Sequence, residues 1–160
     1  MKRVILIAVG SLKEAYCRAG VEDYVKRLKP YVNLEIVETK EFSVKKTPSG
    51  TMIHQIQEEE GKHMLEKIPE KAVAVALDQT GNSRSSQELA ELIEKHMTYS
   101  PDPLVFLIGG SWGLSDQVKK RADHIISFSR LTFPHQLMRL IFLEQCYRAF
   151  TIIHHTEYHK

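Results

Sequence analysis

Apolar and polar residues follow two rhythms along this chain. Val4 to Val9 is an unbroken apolar run, largely β-branched and closed by Gly10-Ser11, and it predicts a buried strand. Val73 to Leu77, ended by Asp78 and a turn around Gly81, predicts a second. Leu104 to Ile108, entered through Pro101 and Pro103, predicts a third, and Ile125 to Phe128 a fourth. Leu34 to Val37 alternates with Glu35 and Glu38, as expected of a strand nearer a sheet edge. Helical spacing fills the intervals. Ala15 to Leu28 carries Ala19, Val21, Tyr24, Val25 and Leu28, and Pro30 stops it. Met52 to Ile68 predicts a helix with an acidic face at Glu58-Glu59-Glu60. Ser85-Ser86 cap another through about Met97, and Pro134 opens a long last one. Lys40 to Gly50 is the most loop-like segment.

Strands and helices in alternation, with strands apolar on both faces, predict an α/β fold: a mostly parallel sheet with helices on both faces. No repeat or composition shift marks a second domain, so residues 1–160 read as one. Apolar residues make up 42% and charged residues 26% of the 160, which excludes disordered, collagen-like and disulfide-framework classes. Cys17 and Cys146 lie far apart, a sparse usage that fits a reducing compartment. The first apolar run is too short for a signal peptide, with Lys13 and Glu14 close behind it. No stretch is long enough to cross a membrane. A soluble cytoplasmic protein is the expectation. The net charge is only +2. The part from Gly109 onward carries seven basic against four acidic residues and five of the eight histidines, either a solvated face or a surface for a phosphate-bearing partner.

In open α/β sheets ligands bind outside the carboxyl ends of the strands. The end at Gly10 lacks G-x-G-x-x-G, and no G-x-x-x-x-G-K-[ST] occurs, so dinucleotide and P-loop readings fail. The end at Leu77-Asp78 and the end at Gly109-Gly110-Ser111-Trp112-Gly113 remain. Glycines at such a place serve either a tight turn or a ligand pressed against bare backbone. Trp112, the only tryptophan, either rims a pocket or caps the core. Ser127 to Phe133, running into Pro134-His135, leaves backbone polar groups free for a ligand's edge. From Leu137 to Ile153 twelve of seventeen positions are apolar. A helix apolar nearly all round is buried on several sides, by its sheet and a partner subunit in a homodimer or within the monomer alone. Glu144 and Arg148 sit i,i+4 and can pair. H-E-x-x-H is absent and the cysteines are remote from the histidine-rich tail, so no metal is expected. An imidazole, a phenol and an ammonium at Tyr158-His159-Lys160 suit proton handling or phosphate contact.

Gly109-Gly110-x-x-Gly113-Leu114, Ser127 through Gln136, Glu144-Gln145-x-Tyr147-Arg148-Ala149 and Tyr158-His159-Lys160 together resemble the ribosomal RNA large-subunit methyltransferase H family of the SPOUT superfamily. The likeness runs from Ala8-Val9-Gly10 through Glu60-Gly61 and Leu77-Asp78 to the last residue. It implies a C-terminal trefoil knot, an antiparallel homodimer, and S-adenosyl-L-methionine as methyl donor. The implied target is N3 of pseudouridine 1915 in helix 69 of 23S rRNA, with the assembled 70S ribosome as substrate. Family cofactor contacts carry onto Leu77, Gly109, Phe128, Ser129, Arg130, Leu131, Thr132 and Phe133, and Gly10 drops out. Asn82 stands where the family often has Lys, and His155 and Glu157 replace a usual Gly and a Pro or Ala.

Pseudouridine N3 carries a proton that must leave as the methyl arrives. Positioning supplies much of such an acceleration and a general base adds about 10²–10⁴-fold. His159 is the candidate base, with Tyr158 and Lys160 placing the nucleotide and its phosphate. His135 and Arg139 are the runners-up, and Arg139 is also a candidate RNA contact. Two competing readings are a noncatalytic ribosome-associated α/β dimer and a SPOUT enzyme acting on tRNA.

Overall fold

A computed structural model describes every residue from Met1 to Lys160. Five strands, β1 (Arg3–Val9), β2 (Asn33–Thr39), β3 (Val73–Ser83), β4 (Leu104–Ile108) and β5 (His124–Ser127), alternate with five helices. These are α1 (Ala15–Leu28), α2 (Gly50–Lys67), α3 (Ser86–Tyr99), α4 (Asp116–Arg121) and α5 (His135–Ile153). The sheet order is β2-β1-β4-β3-β5 and every neighbouring pair is parallel. The polar-interleaved β2 is an edge strand, and β1 and β4, the most apolar, lie inside.

The period of two explains why the inner strands are apolar throughout. Val4, Leu6 and Ala8 of β1 join the core beneath α1, α3 and α5. Ile5, Ile7 and Val9 join a second core beneath α2 and α4. In the larger core α5 is flanked by α1 and α3. Gly20 permits the close approach of α1, because a Cβ there would lie 2.8 Å from Leu140 Cδ1. No residue of α5 is fully exposed even in the single chain, so much of the burial its composition demands is met internally.

Three elements depart from the sequence expectation. β3 does not end at Leu77. Asp78 turns the chain by accepting from the Thr80 N–H at 3.0 Å and from its hydroxyl. Gly81 then crosses the Ile125–Ile126 peptide so closely that a Cβ would meet Ile125 C at 2.5 Å. Asn82 and Ser83 rejoin β5, so that Leu77 and Asn82 both register with Ile126. β5 stops at Ser127, short of Phe128, because local serine bonds take over: Ser127 Oγ donates to Ser129 O at 3.0 Å, and Ser129 Oγ accepts from Leu131 N–H at 2.9 Å. The six-residue α4, capped by Ser115, has too few turns to show a period.

α5 ends in a Schellman turn: His155 N–H donates to Ile152 O and Thr156 N–H to Thr151 O. His155 occupies the left-handed position at φ 53°, where glycine is the usual residue.

Candidate active site at the carboxyl ends of the strands

The largest glycine cluster of the sequence forms the floor of a cleft of about 380 Å³, within the range of small-molecule sites. Gly109 to Leu114 curl back after β4, closed by Gly113 N–H donating to Gly110 O at 3.1 Å. Gly109 is held to glycine by its own loop, since a Cβ there would lie 2.7 Å from Gly113 C. Gly113 needs its positive φ of 82°. Trp112 rims the cleft, and its carbonyl accepts from Gln57 Nε2 of α2 at 2.6 Å.

Two walls face each other across this floor. Leu77 to Thr80 form one, and Ser129 with Leu131, Thr132 and Phe133 the other. Gln79 ties them, its amide donating to Leu131 O at 3.2 Å and Thr132 Oγ1 at 3.0 Å. Burial favours a neutral Asp78, but bonds from Thr80 and the Lys119 ammonium at 3.5 Å outweigh it, so its carboxyl titrates below its ordinary value. A fixed carboxylate thus stands at the cleft wall.

Six of the eight residues expected to touch a cofactor therefore line one cleft. Phe128 and Arg130 do not. The Phe128 ring packs 6.4 Å from that of Phe142, because the chain leaving β5 turns it toward α5. Arg139 requires a larger correction. Expected as an RNA contact, it is 1% exposed. Its guanidinium pairs with Glu38 at 2.8 Å and donates to Gly10 O at 3.0 Å and Val9 O at 3.4 Å. A cation spent on the end of β1 is not presented to phosphate.

The C-terminal residues assemble elsewhere, on the flank of α5. Arg148 is clamped to Glu144. Tyr158 donates to Glu144 Oε1 at 3.1 Å, and its hydroxyl lies 3.2 Å from that of Tyr24. Burial first, then these two partners, push the Tyr158 phenol well above its ordinary pKa, so it stays protonated at neutral pH. Arg148 Nη1 lies 3.4 Å from His159 Nδ1. With that nitrogen accepting, the proton of a neutral His159 sits on Nε2, which makes the ring a donor. Neither Tyr158 nor His159 lines the cleft, and Lys160 is exposed.

A second polar group lies behind the glycine loop. His135, the first residue of α5, lines the cleft with Nδ1 3.5 Å from Ser111 Oγ. Its Nε2 is buried without a hydrogen bond and faces Glu41 Oε1 at 3.7 Å. Burial, with Arg139 and Lys13 nearby, lowers the imidazole pKa against the opposing pull of Glu41. Glu60 is 2% exposed. Its Oε2 accepts from Phe42 N–H at 3.0 Å, while its Oε1 has no partner. Burial, opposed by that N–H and helped by Glu41, raises its carboxyl to about 7. Sequence reasoning read Glu60 as part of an acidic face. The spacing Ile56, Glu60, Met64 contained the opposite signal, because i,i+4 places Glu60 in line with two residues that are buried.

The chain matches, over residues 1–159, the family described as "Predicted SPOUT methyltransferase". The chain belongs to the SPOUT methyltransferase family. Among SPOUT relatives, ribosomal RNA large subunit methyltransferase H of Carboxydothermus hydrogenoformans is 43% identical over 157 residues, covering 98% of this chain and 99% of the relative. The protein of that name from Limosilactobacillus reuteri is 47% identical over 155 residues, covering 97% and 98%. In three dimensions the fold is similar to a probable methyltransferase from Bordetella pertussis Tohama I, at a TM-score of 0.57 and 14% identity over 93% of this chain and 95% of that one. That likeness concerns the fold alone. The SPOUT assignment makes the protein a methyltransferase. No helix is long and apolar enough to cross a membrane.

Proposed function

We propose that this SPOUT chain transfers the methyl group of S-adenosyl-L-methionine to N3 of pseudouridine 1915 in helix 69 of 23S rRNA, on the assembled 70S ribosome in the cytoplasm. The observation that carries the reading is the cleft itself. It joins Leu77, Gly109 and the Ser129–Phe133 segment in a chain that shares nearly full length with ribosomal RNA large subunit methyltransferase H relatives. The donor set fits the cofactor: apolar Leu77, Ile108 and Met138 suit an adenine ring, and the backbone of Arg130, Thr132 and Phe133, unlike that of Ser129 and Leu131, stays free for its polar edge. The Asp78 carboxylate would accept from the cofactor's ribose hydroxyls or offset its sulfonium charge. When bound, the cofactor supplies an electrophilic methyl carbon. The residues of the chain hold that group against the glycine floor, exclude water and place the nucleotide in line.

The proposal includes an antiparallel homodimer. Along one chain the Glu144 cluster stands nine residues of helix beyond His135, roughly 13 Å at helical rise, so the tail of a chain is remote from its own cleft. Leu137 and Ile141 stay only half-buried outside the larger core. Antiparallel pairing of α5 across those residues would bring each tail to the other protomer's cleft. There His159 donates to the nucleotide, Tyr158 packs beside it with its hydroxyl spent on Glu144, and Lys160 meets its phosphate. The family's C-terminal trefoil knot belongs to the same proposal.

Purified protein incubated with labelled S-adenosyl-L-methionine and 70S ribosomes, isolated large subunits or tRNA tests this reading. Label on 70S 23S rRNA alone is the expected result. Label on tRNA, or none while the cofactor binds, would overturn it. Sedimentation should show two copies.

A further inference from the structure

We propose that Ser111, His135 and Glu41 form a proton relay that takes the N3 proton of the target nucleotide during methyl transfer. The inference rests on the function proposed above and assigns a base that the tail does not provide. His159, with Nδ1 facing Arg148, is a donor, whereas His135 lies in the cleft.

The geometry of three groups carries the assignment. Ser111 is exposed on the cleft side of the glycine loop. Its Oγ lies 3.5 Å from His135 Nδ1, and His135 Nε2 lies 3.7 Å from Glu41 Oε1. Nε2 is buried, makes no hydrogen bond and faces the Glu41 carboxylate, so the carboxylate favours the ring proton on that nitrogen. The other nitrogen then presents a lone pair to the serine hydroxyl. A carboxylate orienting an imidazole toward a hydroxyl is a recurrent way of making a base. Both contacts are slightly long, as such contacts often are before substrate tightens them.

The surrounding structure keeps Glu41 in place. A Cβ at Gly10 would lie 3.0 Å from Glu41 Oε2, and Gly10 holds φ at 83°. Glycine at the end of β1, which has no part in the cofactor cleft, thus makes room for the carboxylate. The first turn of α5 is fixed as well: Gln136 Oε1 accepts from Lys13 and Glu14 N–H, at 2.8 and 3.3 Å. The charged groups around the imidazole are Glu41 from the loop after β2, Arg139 from α5 and Lys13 from the loop after β1. Glu60 of α2 stands behind Glu41. Burial keeps the imidazole neutral at neutral pH, the state a base requires.

In the reaction, N3 forms its bond to the methyl carbon while the carbon–sulfur pair stays on sulfur. The N3 proton passes to Ser111 Oγ as the serine's own proton passes to His135 Nδ1. The positive charge lost from sulfur appears on the imidazolium opposite Glu41, and solvent later removes the proton.

Two measurements test the relay. In the free protein, nitrogen NMR of His135 should show a neutral ring protonated on Nε2, and Glu41→Gln should lower its pKa. A ring protonated on Nδ1, or one indifferent to Glu41→Gln, overturns the proposal. On 70S ribosomes, His135→Gln should slow single-turnover methylation about 10²–10⁴-fold, with cofactor affinity by calorimetry changed less than about threefold. Added imidazole should partly restore His135→Ala. A His135→Gln rate near wild type, or cofactor affinity falling in step with rate, refutes the relay. Should the variants fail to fold, the wild-type tautomer decides. Wild-type protein that methylates no ribosome refutes the proposed function, whereas an active wild type with a fully active His135→Gln refutes the relay alone.

Discussion

Glu60 is the sharpest physical anomaly in the protein, and Glu60→Gln turns it into a measurement. The carboxyl is 2% exposed, has one N–H partner and one bare oxygen, and titrates near 7 in place of 4.5. A folded-state pKa above the unfolded one means that folding favours the protonated acid. The stability associated with Glu60 is complete below about pH 4.5 and declines as pH rises through about 7. At about 1.4 kcal/mol for each tenfold change in proton affinity, ionising Glu60 in place costs about 3 kcal/mol above pH 7 and about 2 kcal/mol at pH 6. Glutamine has the same shape, keeps an oxygen for Phe42 N–H and never ionises. Glu60→Gln should therefore exceed wild type by about 2–3 kcal/mol at pH 8 and match it at pH 4.5. Urea unfolding followed by circular dichroism from pH 4.5 to 8 measures the difference, and in a chain of this size it corresponds to about 4–12 °C in Tm at pH 8. A variant less stable than wild type at pH 8, or a difference independent of pH, would refute the reasoning.

Other positions make separate predictions. Arg139→Ala should destabilise the protein by about 1–3 kcal/mol in denaturant titration, because the carbonyls of Val9 and Gly10 lose their buried partner while the half-exposed Glu38 carboxylate returns to water. His155→Gly should raise stability by about 1 kcal/mol, since glycine meets φ 53° without a Cβ clash. Gly109→Val should abolish calorimetric binding of S-adenosyl-L-methionine, because the added carbons fall on Gly113. Cys146 is fully buried and its thiol is pushed up to about 12, so it should resist a thiol reagent in native buffer and react on denaturation.

Much of the fold was legible because local pattern and global position agree. Continuous apolar runs mark β1, β3 and β4, which are covered on both faces, and the interleaved glutamates mark β2 at an edge. The extension of β3 was not legible. It depends on Gly81 lying against the Ile125–Ile126 peptide, a contact across more than forty residues that no window of sequence contains. Arg139 was misread for a related reason. In sequence it is one basic residue among several in a basic region, and only the fold places it on the carbonyl end of β1 beside Glu38. Glycines 109 to 113 were legible as a special place, because three glycines in five residues at a strand end have few uses other than backbone approach.

The candidate site shows why its two halves differed in legibility. Cofactor contacts come from strand ends, which the parallel sheet gathers at one edge, so naming the strands almost names the cleft. The proton-handling groups obey no such rule. Ser111, His135 and Glu41 follow β4, begin α5 and follow β2, and they meet only because β1 and β4 are adjacent while Gly10 leaves space between them. Tyr158 and His159 looked more catalytic in sequence because they stand together, yet their partners Glu144 and Arg148 hold them on the flank of α5. Within one chain a helix of nineteen residues separates them from the cleft, so they reach a cleft only across the proposed dimer. The decisive comparison is therefore His135→Gln against His159→Ala on the same ribosomes. If His159 contributes binding as a donor, His159→Ala raises KM and leaves the acid limb of the pH–rate profile in place, whereas His135→Gln lowers kcat and removes that limb. The reverse assignment of the two effects would return the base to the tail.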